Sequence, residues 1–308
     1  MLSIVIPVCN EQDNVARLYH RIVKAVPDHL PFEVIFVDDG SEDSTFQMLG
    51  GLCAESGNVR CLRLSRNFGH QAALTAGLEY AKGDVVISMD GDLQHPPEII
   101  PSMVKLWEGG ADIVQVLRKD SSREGLIKTV TSQWYYRIAR FMGIHLPNNA
   151  SDYRLMSRIA LDALLSCKEN VRFVRGLVFW IGYNTAYIEV EMPLRDRGKT
   201  KYGFMAMLRF AGASMVGFST FPLRLFSYFG ITCLFLSAGY FLYAVAKYLE
   251  GESVRGWTSI IMLELIILSV QLISIGILGE YISAIFSEVK RRPVYLIKET
   301  ISSRDRIA

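Results

Sequence analysis

Two acidic residues separated by a single glycine stand at the centre of the segment VVISMDGDLQHPPEII, residues 85–100. The apolar run at 85–89 predicts a buried strand, and Asp90 and Asp92 follow it directly. Two carboxylates this close repel each other unless they share a proton or a cation. A solvated turn is the alternative, since Asp and Gly are ordinary turn residues. The position at the end of a buried strand favours a cation site.

The chemistry that such a pair supports is metal binding. A divalent ion such as Mg²⁺ or Mn²⁺ prefers oxygen ligands and often takes one or two carboxylates together with substrate phosphates. Asp90 and Asp92 therefore predict a metal site that holds a diphosphate. No GxGxxG follows the first predicted strand, and the sequence contains no GxxxxGK[ST] loop. These absences disfavour a dinucleotide dehydrogenase and a P-loop enzyme.

Alternating strands and helices must position this motif. The predicted strands lie at 2–8, 32–40, 58–65 and 83–90, and the predicted helices at 13–26, 41–56 and 69–81. Strands that alternate with helices predict an α/β domain with a doubly wound, mainly parallel sheet. Ligands of such sheets bind beyond the carboxyl ends of the strands.

Acids, amides and one arginine cluster at those strand ends. They are Asn10, Glu11, Asp38, Asp39, Arg66, Asn67, Asp90 and Asp92. Each has a simpler interpretation by itself, a turn for 38–40 and a surface charge for Arg66. Because all of them follow strands, the sequence predicts one polar crevice that binds a ligand.

The composition indicates a cytoplasmic domain with a membrane anchor. Half of the 308 residues are hydrophobic and the formal net charge is +2, and we expect no nucleic-acid partner. Five cysteines without a CxxC pair indicate a reducing compartment rather than a disulfide scaffold or a zinc site. The apolar start LSIVIPVC lacks a basic lead-in, which favours a first strand over a signal peptide.

Most of the excess apolar residues lie near the C-terminus. Between Arg224 and Lys247 stand 22 uncharged residues, close to the ~20 that a helix needs to cross a bilayer. A second apolar stretch, 257–286, is interrupted only by Glu264 and Glu280. A buried helical hairpin of a soluble protein is the alternative. We predict two transmembrane helices at about 225–248 and 258–284, within a segment 223–289.

The distribution of basic residues predicts the orientation. Lys and Arg flank the hairpin on both sides and are few in its linker, so the positive-inside rule places both termini in the cytoplasm. The cytoplasmic parts are then a domain at 1–202 and a tail at 290–308. Residues 203–222 predict an interfacial helix, with a core helix of the domain as the alternative. Glu264 and Gln271 hint at helix association, and hence at a homo-oligomer.

Five motifs along the chain carry a family resemblance. They are PVCNEQDN, VDDGSEDST, SRNFGHQAAL, MDGDLQHPPE and SDYRLMSR. Together they resemble the GT-A fold glycosyltransferases of family 2, and within it the polyprenyl-phosphate glycosyltransferases, which include dolichol-phosphate mannose synthase and bactoprenol glucosyltransferases. The resemblance spans about the whole chain. It implies a Rossmann-like GT-A domain followed by a two-helix transmembrane hairpin, with Mg²⁺ or Mn²⁺ as cofactor.

The resemblance also implies roles for individual residues. Nucleotide-sugar binding falls to Pro7, Asn10, Glu11, Asp38, Asp39, Arg66, Gln71, Asp90, Arg195 and Lys201. The metal ligands are Asp90, Asp92 and Gln94, and the acceptor phosphate is bound by Arg118, Lys128 and Ser132. Asp92 and Asp152 are the catalytic candidates, with Asp152 either a base or a residue that positions the sugar. Relatives often carry Arg at 128 and an aromatic residue at 9.

The implied reaction is inverting transfer of a sugar from a nucleotide diphosphate sugar to polyprenyl (undecaprenyl) phosphate at the cytoplasmic membrane face. UDP-glucose is the first choice of donor, with GDP-mannose or a UDP-aminopentose as alternatives. A processive polysaccharide synthase is disfavoured because the sequence lacks a Q-x-x-R-W motif and further spans. A non-catalytic membrane scaffold is disfavoured because the acids at the strand ends are all present.

Overall fold

A computed structural model of the chain describes residues 1–119, 147, 149–169, 173–191 and 256–302, and scattered helical positions between 228 and 250. The chain divides into two compact units. The first consists of Met1–Gly203 with Arg292–Ala308, and the second of Phe204–Arg291. Some predicted features lie outside the described residues: the helix at 203–222 and the side chains of Lys128, Ser132, Arg195 and Lys201.

One eight-stranded sheet forms the first unit. Its strands are β1 (Leu2–Val8), β2 (Phe32–Asp38), β3 (Val59–Leu64), β4 (Val85–Ser88), β5 (Ile113–Arg118), β6 (Ala150–Ser157), β7 (Thr185–Val190) and β8 (Ile297–Ser302). They are ordered β7-β5-β6-β4-β1-β2-β3-β8. β1 to β4 run parallel to one another, whereas β6 and β8 are antiparallel to their neighbours. The predicted α/β, mainly parallel architecture is confirmed.

Helices connect and cover the strands. They are α1 (Val15–Ala25), α2 (Thr45–Glu55), α3 (His70–Tyr80), α4 (Ile100–Glu108), α5 (Arg158–Ser166), α6 (Val174–Trp180) and α7 (Trp257–Lys290), with a 3-10 turn at Pro97–Ile99. The first of them is amphipathic: Val15, Leu18, Tyr19 and Ile22 are buried, at the i, i+3, i+4, i+7 spacing of one helical face. The same apolar spacing that predicted a helix in the sequence therefore fixes it to the sheet.

The central strands form the core. Every residue of β1 and of β4 is buried, as expected of parallel strands covered on both faces. The polar residues that follow β1 and β4 are therefore the first side chains outside the core. The buried strands fix the positions of these side chains.

The last strand comes from the end of the chain. β8 pairs antiparallel with β3, from Arg60 opposite Ser302 to Leu64 opposite Ile297. Next to it, the Tyr295 hydroxyl lies 2.5 Å from a carboxylate oxygen of Glu79. The sequence predicts a tail at 290–308 and gives no sign of this strand. Residues Ile297–Ser302 instead form one edge of the sheet.

The second unit contains one long described helix, α7, of 34 residues. Its part Ile266–Lys290 is the one helix within the described residues that is long and apolar enough to cross a membrane. It overlaps the second predicted span, 258–284. The first predicted span, 225–248, falls in the region where the structure describes only scattered helical positions.

Candidate active site

The polar crevice lies at one edge of the sheet. Because β1, β2 and β4 are parallel neighbours, the residues that follow them emerge side by side. β6 is antiparallel to both β4 and β5, so its amino end and the carboxyl end of β5 reach the same edge. This topology brings Asp90, Arg118 and Asp152 to the edge that also carries Asp38 and Asn10.

A buried histidine supports the start of the DGD turn. The Asp90 N–H donates to Nδ1 of His95 at 2.9 Å, so the neutral imidazole carries its hydrogen on Nε2. That nitrogen lies 3.6 Å from Oδ2 of Asp90. The ring also stacks on Tyr153, with 5.0 Å between centroids. His95 therefore holds the backbone at the start of the DGD turn and lies beside the Asp90 carboxylate, a role that no sequence pattern indicated.

The rest of the DGD turn is tight. An Asp92 carboxylate oxygen accepts a hydrogen bond from the Gln94 N–H at 3.1 Å. Between them Leu93 has φ 64°, a left-handed conformation that is strained for a branched side chain. A Cβ at Gly91 would lie 2.6 Å from a side-chain carbon of Val8, so only glycine lets the turn approach β1 this closely.

The donor atoms of this turn fit a divalent cation. Oδ1 of Asp90 is buried and has no hydrogen-bond partner among the described residues, with Nε2 of His70 at 3.4 Å. The described part of the chain holds no group of three or more His, Cys, Asp or Glu residues arranged around a metal site. The chain thus offers two carboxylates, Asp90 and Asp92, and an amide at Gln94. Mg²⁺ and Mn²⁺ commonly bind to such a small oxygen set, completed by phosphate and water.

The two acids of the DDG motif have different surroundings. Asp39 accepts hydrogen bonds from the backbone N–H groups of Phe68 and Gly69 at 2.7 and 2.9 Å. Burial raises the pKa of Asp39, against the lowering effect of these two bonds. Both oxygens of Asp39 therefore hold the loop that precedes α3, and form the wall of the crevice.

Asp38 retains one carboxylate oxygen that can accept a hydrogen bond. Its side chain is fully buried, Oδ1 accepts from the Ser41 N–H at 3.1 Å, and Oδ2 lies 3.5 Å from Nε of Arg63. Oδ2 has no hydrogen-bond partner among the described residues. A buried oxygen in this state is costly unless a ligand donates to it.

Backbone hydrogen bonds connect the ends of β1 and β2. Asn10, with φ 55°, accepts from the Glu42 N–H at 2.9 Å through its side chain. The Glu11 N–H donates to the Thr45 hydroxyl at 2.8 Å, and its carboxylate accepts from the Asn14 amide at 2.6 Å. These two predicted ligand residues are therefore held by the loop after β2 and by the first residue of α2.

The other predicted nucleotide-binding residues are spread around the crevice. Pro7 is buried within β1, opposite Val37. The Arg66 guanidinium is exposed and lies 4.1 Å from the ring centroid of Phe68. The Gln71 amide oxygen accepts from the Val174 N–H at 3.1 Å, which ties the start of α3 to the start of α6.

Asp152 lies between two arginines. Its carboxylate accepts from Nη2 of Arg154 at 2.7 Å, and from Nη2 and Nε of Arg175 at 2.8 and 3.3 Å. Nε2 of His70 lies 3.8 Å from Oδ2. Burial alone would raise the pKa of Asp152, but the charges of Arg175 and Arg154 outweigh it and hold the pKa far below its usual value. Asp152 is therefore ionised throughout the neutral range.

Arg154 is fully buried behind this carboxylate. Burial lowers its pKa to about 10, so it remains a cation at neutral pH. Its Nε and Nη1 have no hydrogen-bond partner among the described residues. Arg154 and His70 stand inside motifs that the sequence analysis quoted, but their pairing with Asp152 and Asp90 depends on the sheet. Arg175 lies in FVRGLVFW, a stretch with no sequence signal for a site.

Arg118 completes the described part of the crevice. It is half-buried at the carboxyl end of β5, and its N–H donates to the Asn149 carbonyl at 3.0 Å. The other predicted acceptor residues, Lys128 and Ser132, lie outside the described residues, as do Arg195 and Lys201.

Comparison with known proteins gives two family matches. Residues 3–165 match the family described as glycosyl transferase family 2, and residues 221–285 match the one described as GtrB C-terminal hairpin. The chain is 37% identical over 306 residues to the SfII prophage-derived bactoprenol glucosyl transferase of Shigella flexneri, covering 97% of this chain and 98% of the relative. An uncharacterized glycosyltransferase of Synechocystis is also 37% identical, over 301 residues, 97% of this chain and 95% of the relative.

A solved structure shares the fold. Glucosyl-3-phosphoglycerate synthase from Mycobacterium tuberculosis superimposes with a TM-score of 0.50 at 20% identity, over 70% of this chain and 79% of that one. The family match covers more than half of the chain, and the two relatives align along almost its full length. The chain therefore belongs to glycosyl transferase family 2, and it is a glycosyltransferase with a GT-A fold and a C-terminal hairpin.

Proposed function

We propose that this protein transfers glucose from UDP-glucose to the phosphate of a polyprenyl lipid, undecaprenyl phosphate, at the cytoplasmic face of a membrane. The bactoprenol glucosyl transferase of Shigella flexneri, similar to this chain over nearly its whole length, supports the sugar and the lipid. The observation that carries the proposal is the unsatisfied Oδ1 of Asp90, at a sheet edge shared with Asp38 and Asp152. It suits an enzyme that binds a cation and a nucleotide together.

The nucleoside binds over the ends of β1 and β2. Oδ2 of Asp38 accepts a hydrogen bond from a base N–H or a ribose hydroxyl, which supplies the partner that it otherwise lacks. Asn10 and Glu11 border the same place, held by the loop after β2 and by the first residue of α2. Arg66 lies at the exposed rim, where its charge meets the diphosphate.

Asp90, Asp92 and Gln94 hold the divalent metal. When bound, the metal neutralises the diphosphate charge and stabilises the leaving nucleotide. The mycobacterial synthase of the same fold is named as a complex with Mn²⁺ and UDP-glucose, which supports both ligands here. His95 holds the backbone of the turn that carries these three residues.

Bond changes in the transfer need no proton acceptor from the protein. One oxygen of the lipid phosphate attacks the anomeric carbon, a new C–O bond forms, and the bond to the nucleotide diphosphate breaks, with its electron pair leaving on the diphosphate. A phosphate monoester has a second pKa of about 6, so the attacking group is largely dianionic at neutral pH. Asp152, held as an anion by two arginines, is a poor base and instead accepts a hydrogen bond from the sugar.

The acceptor phosphate approaches from the β5 side of the crevice. Arg118 lies at that edge of the sheet. Lys128, Ser132, Arg195 and Lys201 are proposed to surround the phosphate groups from the segments next to the membrane. The hairpin at 223–289 crosses the membrane twice, with the catalytic domain and both termini in the cytoplasm, and keeps the enzyme where the lipid is.

A donor panel tests this proposal. Purified full-length protein is given polyprenyl phosphate, Mg²⁺ or Mn²⁺, and labelled UDP-glucose, GDP-mannose or a UDP-aminopentose, and the label in organic-extractable lipid is counted. We expect label from UDP-glucose alone. Label from another donor instead would change the proposed donor sugar but keep the proposed reaction class. Nucleotide binding without transfer from any donor would overturn the proposal in favour of a scaffold.

A further inference from the structure

The short helix α6 lies beside the catalytic candidate Asp152 although nothing in its sequence suggests a site. Two separate contacts hold its start against the crevice. The Val174 N–H donates to the Gln71 side chain at 3.1 Å, and the next residue, Arg175, grips the Asp152 carboxylate through Nη2 and Nε. The first two residues of α6 therefore connect α3 with β6 beside Asp152.

Arg175 and Arg154 hold Asp152 in different ways. Arg154, fully buried, reaches one oxygen with a single nitrogen, whereas Arg175 contacts both oxygens. A two-nitrogen contact fixes the plane of a carboxylate as well as its position. These three hydrogen bonds occupy three of the roughly four acceptor positions of the carboxylate. Because Arg175 makes two of the three bonds, the direction of the remaining acceptor position depends chiefly on Arg175.

The charges of this cluster have a consequence for the reaction. Asp152 by itself would repel an acceptor phosphate that carries two negative charges. With Arg154 and Arg175 in contact, the three side chains sum to a net charge of +1, which a phosphate tolerates. The carboxylate can therefore serve as an oriented acceptor next to an anionic nucleophile.

We propose that Arg175 is a positioning residue for sugar transfer: it fixes the Asp152 carboxylate in the plane in which that carboxylate accepts a hydrogen bond from the donor sugar. This inference rests on the proposed function. It differs from a role in nucleotide binding, because the proposed nucleoside contact is Asp38 on β2, which is separated from β6 by β4 and β1 in the sheet.

Substitutions of Arg175 test the inference in the full-length enzyme. Arg175→Gln removes the charge, and Arg175→Lys keeps it but cannot contact both oxygens in one plane. We expect kcat to fall about 10²-fold in both variants, the loss typical of a small misplacement of a reacting group. The KM for the nucleotide sugar and the Kd for UDP should stay within about twofold of the parent values. The melting temperature should stay within a few degrees of the parent value.

A matched control pair is available elsewhere on the domain. Arg21 contacts both oxygens of Glu98 at 2.9 and 2.8 Å, and its side chain is 38% exposed, against 36% for Arg175. Arg21→Gln and Arg21→Lys should leave kcat unchanged, because that pair lies outside the crevice residues.

The outcomes separate this inference from the proposed function. A parent enzyme that transfers sugar while Arg175→Lys keeps the parent kcat would overturn the geometric role of Arg175. Loss of UDP binding or of the folded state in both Arg175 variants would make Arg175 a structural residue and would also overturn it. If the parent enzyme itself transfers no sugar from any donor, the proposed function fails, and the inference that rests on it falls as well.

Discussion

At the scale of single residues, three carboxylates of one crevice have different partners and therefore different chemistry. Asp90 is part-exposed, its Oδ1 lacks a hydrogen-bond partner among the described residues, and it suits a cation. Asp39 has both oxygens engaged by backbone N–H groups and supports a loop. Asp152 is clamped by two guanidinium groups and remains ionised.

The depressed pKa of Asp152 predicts the pH dependence of the transfer. A group that stays ionised from pH 5 to 8 contributes no limb to the rate profile there, so the acidic limb should follow the lipid phosphate, near its second pKa of about 6. Asp152→Asn should lower kcat and leave the position of that limb unchanged. The measurement is kcat against pH for both enzymes with lipid phosphate in excess. Disappearance of the acidic limb in the variant would mean that Asp152 is the base after all.

The same cluster predicts a stability effect. Asp152→Asn leaves Arg154 buried without its counter-ion, which should lower the free energy of unfolding by about 3–5 kcal/mol. Asp152 has a folded pKa below its unfolded one, so this stabilisation is present above about pH 4 and is lost only as the pH falls further. Chemical denaturation at pH 7 measures it. Glu98→Gln, which breaks an exposed ion pair, should cost at most about 1 kcal/mol, and equal losses in the two variants would contradict the account.

At the scale of elements, the crevice depends on turns that approach one another closely. Gly40 has φ 67°, and a Cβ there would lie 2.6 Å from backbone atoms of Arg66 and Asn67. The DDG turn and the loop before α3 thus pack backbone against backbone, and Asp39 bonds across the same junction. The proposed nucleotide-binding residues on both sides depend on this contact.

Gly40→Ala should separate the two loops. Both the positive φ and the backbone clash disfavour the added methyl group, so we expect a loss of stability of about 1–3 kcal/mol and weaker UDP binding. Gly51→Ala is the control: Gly51 is an exposed residue of helix α2 with nothing within 4 Å of the new Cβ, and the substitution should stabilise by about 0.5–1 kcal/mol. Calorimetric titration with UDP and thermal melts measure both effects. Unchanged UDP affinity in Gly40→Ala would show that the junction does not shape the site.

The strand β8 is a second element whose effect can be measured. Deleting residues 296–308 removes every β3–β8 pair and the carbonyl of Leu296, which accepts from the Ser65 N–H at 2.8 Å. We expect a lower melting temperature and a lower transfer rate, because the newly exposed edge strand β3 contains Arg63, whose Nε lies 3.5 Å from the Asp38 carboxylate. Deleting only 303–308 keeps all those pairs and should leave both quantities unchanged. Equal behaviour of the two truncations would exclude a role for the strand.

At the scale of the whole molecule, the chain leaves the catalytic unit for the hairpin and then returns to it. Residues on both sides of the hairpin, up to Gly203 and from Arg292, belong to the same compact unit, and β8 pairs within its sheet. We propose that the intervening segment crosses a membrane an even number of times, as the two spans predicted from the sequence do, which would keep both of its ends on one side.

The sequence predicted the fold and the acidic crevice because both depend on local patterns. Apolar runs that end in Asp38 or Asp90 mark strand ends, and parallel topology then places those ends together. It did not predict β8, because IKETIS is polar and pairs with a strand more than 200 residues away. Nor did it predict Arg175, since contacts between side chains of remote elements leave no local pattern.

The proposed reaction is tested by transfer of labelled glucose from UDP-glucose into polyprenyl phosphate by the full-length protein, with Asp92→Asn and EDTA alongside. We expect label in the lipid for the parent enzyme, about 10²–10³-fold less for Asp92→Asn, and none after EDTA until Mg²⁺ or Mn²⁺ is restored. The melting temperature of Asp92→Asn should match the parent. Full transfer by that folded variant, or transfer that EDTA does not affect, would contradict the account.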